Sequence, residues 1–125
     1  MTPKLKNLTI CENVIIAQNK TRSYINIFDR VKSDLPVVFP KFYIVSSIES
    51  DQESEKYIEK IEIIDPDGNV LSKIEGDTQT ELYKSHFICQ FNNINFQKSG
   101  KYLVRVYING SEITNSNESF VVENI

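Results

Sequence analysis

Apolar side chains in this chain recur at every second position in run after run, and most of those that carry them are β-branched or aromatic. From Lys101 to Asn109, Tyr102, Val104, Val106 and Ile108 fall on one side and Leu103, Arg105 and Tyr107 on the other. From Glu81 to Phe91, Phe87, Cys89 and Phe91 alternate with His86, Ile88 and Gln90. From Lys41 to Glu49, Phe42, Ile44, Ser46 and Ile48 alternate with Tyr43, Val45 and Ser47. A repeat of two belongs to a pleated strand with one face buried, and the same residues wound at 3.6 per turn would scatter around a helix. Ala, the strongest helix former, occurs once, at Ala17. The chain is therefore predicted to be all-β.

Turn residues divide the pattern into hairpins. Tyr57 to Asp65 reaches Asp65-Pro66-Asp67-Gly68-Asn69 and returns through Val70, Leu71 and Ile74, with Pro66 presetting one turn dihedral and Gly68 supplying a positive one. Asn109-Gly110 closes a second hairpin, whose return partner is Glu118 to Glu123 with Phe120 and Val122 on the core side. Leu5 to Gln18 and Arg22 to Val31, joined by Asn19-Lys20-Thr21, read as a third, with a bend in its first strand at Cys11-Glu12. Two prolines in Leu35-Pro36-Val37-Val38-Phe39-Pro40 cannot both donate to a central ladder, so that segment is predicted to cross between sheets. The acidic stretch from Glu49 to Lys56 reads as a solvated connection. Seven or more short strands make residues 1–125 a single immunoglobulin-like two-sheet β-sandwich. Ser99-Gly100-Lys101-Tyr102 supports this, since Tyr102 stands where such domains carry a tyrosine corner. Val104 where antibody domains have Cys, and the lack of Trp, exclude an antibody-type domain.

Leu8-Thr9-Ile10-Cys11-Glu12, Ile25-Asn26-Ile27-Phe28-Asp29-Arg30, Phe39-Pro40 and Gly100-Lys101-Tyr102 together resemble a family of small bacterial and phage-associated β-sandwich proteins of uncharacterised function. The resemblance spans nearly the whole chain and implies the fold and a cytoplasmic setting, with no assigned activity or catalytic residues. Such proteins often have Gly where this chain has Asn26.

Composition narrows the functions. With 14 Lys and Arg against 17 Asp and Glu, the net charge of −3 supplies no basic field for a phosphate backbone, so nucleic acid is not an expected partner. The longest purely apolar stretch, Val14 to Ala17, is far short of the roughly 20 residues that span a bilayer. Met1 to Asn7 leads into a broken apolar run without the form of an export signal, so neither export nor a membrane is expected. Cys11 and Cys89, distant and outside any C-x-x-C, read as reduced thiols acting as small hydrophobes, with a bridge as the alternative. The one imidazole, His86, sits mid-strand beside Ser85 without a nucleophile elbow, and reads as a surface histidine. Asp65 to Asn69 looks like the start of a calcium loop, but the twelfth place is Gly76 instead of Glu, so a plain turn is expected. No catalytic residue, metal site or cofactor is predicted.

A non-catalytic binding or structural module follows, making contact with a protein partner or with itself. An assembly component of a phage particle or bacterial appendage, or a carboxylate-only glycan-acting enzyme, is the alternative. Glu12, Asp29 and Arg30 stand beside apolar strand residues and, with Phe39, form the candidate partner-binding patch. Glu118 to Glu123, following the polar run Thr114 to Asn117, is expected at a sheet edge open to further strands. Tyr43, Tyr57, Tyr83 and Tyr107 are the aromatics free to form an exposed row.

Overall fold

In a computed structural model, residues 3–114 and 118–125 are described. Among the described residues ten strands run in chain order: β1 Lys4–Ile16, β2 Arg22–Ile27, β3 Arg30–Ser33, β4 Val37–Glu49, β5 Lys56–Ile64, β6 Val70–Gln79, β7 Lys84–Phe96, β8 Gly100–Ile108, β9 Ser111–Glu112 and β10 Ser119–Asn124. No helix occurs among the described residues. One sheet has the order β2-β1-β4-β7 and the other β3-β10-β8-β5-β6, with β9 paired to β8. Neighbouring strands are antiparallel except β3 and β10, which run parallel. This is the immunoglobulin-like sandwich that the alternation predicts.

The inward residues of both sheets meet in an aromatic centre. The Phe42 ring stacks on Phe91 at 5.5 Å and meets Phe96 at 6.2 Å and Phe120 at 6.5 Å. Tyr102 lies against Phe120 at 5.5 Å and edge-on to Phe96 at 5.2 Å. Ile44, Ile61, Ile63, Val104, Val106 and Val122 complete the core, each buried because the second sheet faces it. A smaller cluster of Ile48, Tyr57 and Ile108 closes one end.

The Tyr102 hydroxyl donates to the Lys98 carbonyl at 2.7 Å, which is the tyrosine corner, at the start of a late strand as predicted. Gly100, at φ +140°, precedes it; a Cβ there would stand 3.0 Å from Pro66 Cγ, so the corner needs glycine for conformation and for space.

Four expectations change. The run from Arg22 to Val31 is two strands: β2 stays with β1, and after Phe28-Asp29 the chain crosses to the other sheet as β3. Of the segment Leu35 to Pro40 predicted to cross, only Leu35-Pro36 does so, bringing the chain back, and Val37 to Pro40 already belong to β4, beyond the Tyr43 to Glu49 stretch that pairs with β1. Glu118 to Glu123 is not at an edge: β10 lies between β8 and β3, because β3 covers its outer side from Val121 to Asn124. Of the polar run before it, residues 115–117 lie outside the described residues. The acidic connection after β4 is more ordered than a solvated loop requires. Ser50 is buried within it and its Oγ donates to Glu55 at 2.5 Å, and the buried Thr80, after β6, accepts from the Glu55 amide at 2.7 Å through Oγ1.

Candidate interaction surface

The first hairpin bends where the sequence predicts. Cys11 pairs with Ile27 and Asn13 with Ile25, and between those pairs Asn26 takes φ +54°. Asn tolerates that left-handed conformation better than any β-branched residue, which is why Asn can stand at this bend. The Asn26 side-chain amide donates to Glu12 Oε1 at 2.6 Å and ties the two strands together at the bend.

Beyond the bend the hairpin becomes an arm folded over the outward face of its own sheet. β2 and β7 are opposite edges of that sheet, three strand spacings or about 14 Å apart. Yet Arg22 Nη2 lies 2.8 Å from Nε2 of His86 on β7, which the arm can reach only by crossing the sheet. The crossing accounts for Thr9, Cys11 and Val45, which face away from the sandwich core and are nonetheless buried, with Cys11 0% and Val45 1% exposed. Asn13, Ile15, Ser23 and Ile25 share one face of the arm, and Ile27, the partner of Cys11 on the edge strand β2, precedes the bend. Ile15 is 52%, Ile25 44% and Ile27 64% exposed. An alternating pattern reads such isoleucines as core; what exposes them is that no third layer covers the arm.

The four predicted patch residues frame the β2–β3 crossover. Glu12 holds the bend, Arg30 pairs with Glu123 at 3.2 Å, and the Asp29 carbonyl accepts from the Val121 amide at 2.9 Å. Phe39 stacks on Phe28 at 5.7 Å and sits edge-on to Phe42 at 5.4 Å, so it belongs mostly to the core behind the crossover. Beside Asp29 a cleft of about 520 Å³ is lined by Leu8, Ile10, Ile27, Phe28, Glu118 and Ser119, among others. A larger one, about 630 Å³, lies at the β5–β6 end over Lys56, Ile58, Asp77 and Gln79.

The titratable groups are engaged elsewhere. A guanidinium only donates, so the contact from Arg22 makes His86 Nε2 the acceptor, and Nδ1–H then donates to Ser47 Oγ at 2.9 Å. The ring cannot take a proton from Ser47 in that arrangement. Burial, then the charges of Arg22 and Lys84, hold His86 below its ordinary range and keep it neutral. Glu59 projects from β5 between the sheets and is 0% exposed; Ser46 Oγ donates to its Oε2, and Oε1 has no hydrogen-bond partner among the described residues. Burial pushes its carboxyl up to about 7 against the opposing Ser46 hydrogen bond. It lines neither cleft. Cys89, across the core, is pushed up to about 12 by burial and by the charge of Glu59. Cys11 is raised by its own burial, opposed by the Asn13 amide. Both thiols are free, on opposite faces of one sheet, which forbids a bridge between them.

The Asp65 to Asn69 turn uses its own acids. Asp65 Oδ1 accepts from the amides of Asp67 at 3.0 Å and Asn69 at 2.9 Å, and Asp67 pairs with Lys98. Among the described residues no group of three His, Cys, Asp or Glu side chains could hold a metal ion. Among the described residues no helix is long and apolar enough to cross a membrane. The tyrosines form no row: Tyr57 is buried, Tyr43 and Tyr107 stand on different sheets, and Tyr83 is at a turn.

Among solved structures, the chain is similar to the alkylpurine DNA glycosylase AlkC of Pseudomonas fluorescens bound to DNA containing an abasic site analog, with a TM-score of 0.59 and 11% identity over 97% of this chain. It spans 30% of the glycosylase chain. An immunoglobulin-like protein from Pseudomonas aeruginosa matches with a TM-score of 0.46 and 14% identity over 98% of both chains. Likeness at these identities is one of fold. No curated protein matches the chain. A family model covers residues 6–117, nearly the whole sandwich including the arm and the crossover, and the chain therefore belongs to DUF6941, a family of unknown function.

Proposed function

We propose that this domain is a non-catalytic protein-binding module of the cytoplasm that docks its partner on the arm and crossover. The isoleucines carry the reading: Ile15, Ile25 and Ile27 are exposed on the paired strands β1 and β2, beside a cleft with an apolar wall and acids at its rim. Contiguous exposed apolar surface of that kind marks interaction sites. The chemistry elsewhere supports it, since His86 is held neutral between Arg22 and Ser47 and Glu59 is enclosed. Two unbridged thiols suit a reducing compartment.

Tagged protein purified from its native host tests this, compared with an Ile25→Asp/Ile27→Asp double variant and with Arg30→Glu. The expected result is a protein that co-purifies with the wild type and is lost from the double variant, whose melting temperature stays close to wild type because both positions are exposed. Retention of the same partner by both variants would sink the reading. So would nucleic acid released by raised salt, the one outcome that would extend the likeness to the glycosylase from fold to ligand. Self-association through the same face, as in an assembly component, would appear as mass rising with concentration in light scattering of the wild type alone.

A further inference from the structure

The crossover leaves a gap in both sheets at once. On β1, the Ile10 carbonyl accepts from the Phe28 amide at 2.9 Å, so Ile10 turns its backbone groups toward β2. Strand alternation turns the N–H and C=O of Leu8 the same way, past the end of β2, where no described strand pairs with it. On β10, the Val121 amide reaches the Asp29 carbonyl, so Ser119 turns its backbone groups to that side also, short of β3, whose pairing begins at Val121. Leu8 and Ser119 both line the 520 Å³ cleft. Two half-open edges thus face one cavity, with Ile10, Ile27 and Phe28 as its apolar wall.

Charge specifies the occupant. Asp29 and Glu118 line the cleft, and among the described residues neither has an ion-pair partner. Arg30 and Lys6, the nearest bases in sequence on these strands, are engaged by Glu123 and Glu49. We propose, building on the protein-binding reading, that an extended segment of the partner adds as a strand to β1 at Leu8, with apolar side chains toward Ile27 and Phe28 and basic ones toward Asp29 and Glu118. Main-chain hydrogen bonds would supply affinity and the alternate side chains specificity.

Amide hydrogen exchange on the isotope-labelled full chain tests it, with acetyl-Lys-Val-Arg-Val-Lys-Val-amide as probe and acetyl-Glu-Val-Glu-Val-Glu-Val-amide as its charge-reversed control. Exchange at the Leu8 and Ser119 amides should be fast in the free protein and slow by about tenfold or more with the basic peptide. The acidic peptide should leave it unchanged, and Asp29→Lys should abolish the effect while leaving the exchange of core amides such as that of Val104 intact. Equal protection by both peptides, protection confined to other strands, or a Leu8 amide already slow in the free protein would each overturn strand addition. None of these touches the protein-binding reading, which stands or falls on the host co-purification.

Discussion

Phe42 and Ile27 are both large apolar residues on alternating strands, and their surroundings are opposite. Phe42 is 1% exposed and meets the rings of Phe28, Phe39, Phe91, Phe96 and Phe120. Ile27 is 64% exposed on β2, the edge strand that leads into an arm covering its own sheet. The arm thus buries Thr9, Cys11 and Val45 beneath it and leaves its own outer face uncovered. Apolar alternation shows that a face seeks cover; whether it finds cover depends on how many layers the chain can stack.

The sharpest way to break the comparison is Phe42→Ala. Removing a ring at the centre of the aromatic cluster should lower stability by about 4 kcal/mol in urea unfolding, the transfer loss plus the cavity left among partners that cannot collapse. A loss under about 1 kcal/mol would mean the centre is no better packed than the arm.

Glu59 gives the next effect, through pH. Its folded carboxyl titrates near 7 against 4.5 in the unfolded chain, so the folded state binds the extra proton between those values. Stability should therefore be greatest below about pH 4.5 as far as Glu59 is concerned, and fall by on the order of 3 kcal/mol as pH rises to about 7. Glu59→Gln should remove that fall. Urea midpoints at pH 5 and pH 8 check it, the variant gaining on the wild type at the higher pH. Equal midpoint differences at both pH values would show that the buried carboxyl has an ordinary pKa.

At the bend, Asn26→Val places a β-branched residue at φ +54° and should cost about 1 to 2 kcal/mol, while Asn26→Gly should cost little, losing the Glu12 contact and gaining conformational ease. Equal losses for the two would remove the left-handed bend as the device that folds the arm. Tyr102→Phe should cost about 1 kcal/mol, the worth of one buried hydrogen bond to the Lys98 carbonyl. The smallest effect belongs to Ile27→Thr, within about 0.5 kcal/mol of wild type, because the position is largely solvated. A loss near that of Phe42→Ala would mean that Ile27 is covered in solution.

Most strands could be read from residue order because their signals are local. Alternation in β4, β7 and β8 follows from the pleat, the Asp65 to Asn69 and Asn109-Gly110 turns from residues suited to their dihedrals, and the Tyr102 corner from four consecutive residues. The bend at Glu12 was legible for the same reason, and Asp29 and Arg30 were singled out as charges set among apolar neighbours. What could not be read was partnership between distant segments. The switch of sheets at Phe28-Asp29, the parallel β3 that places β10 inside its sheet, and the arm's reach from Arg22 to His86 all depend on which segments meet in three dimensions. Alternation is the same whether a strand faces a second sheet, as Phe42 does, or water, as Ile27 does. Tertiary packing made that choice, because burial is a property of the layer opposite and not of the strand itself.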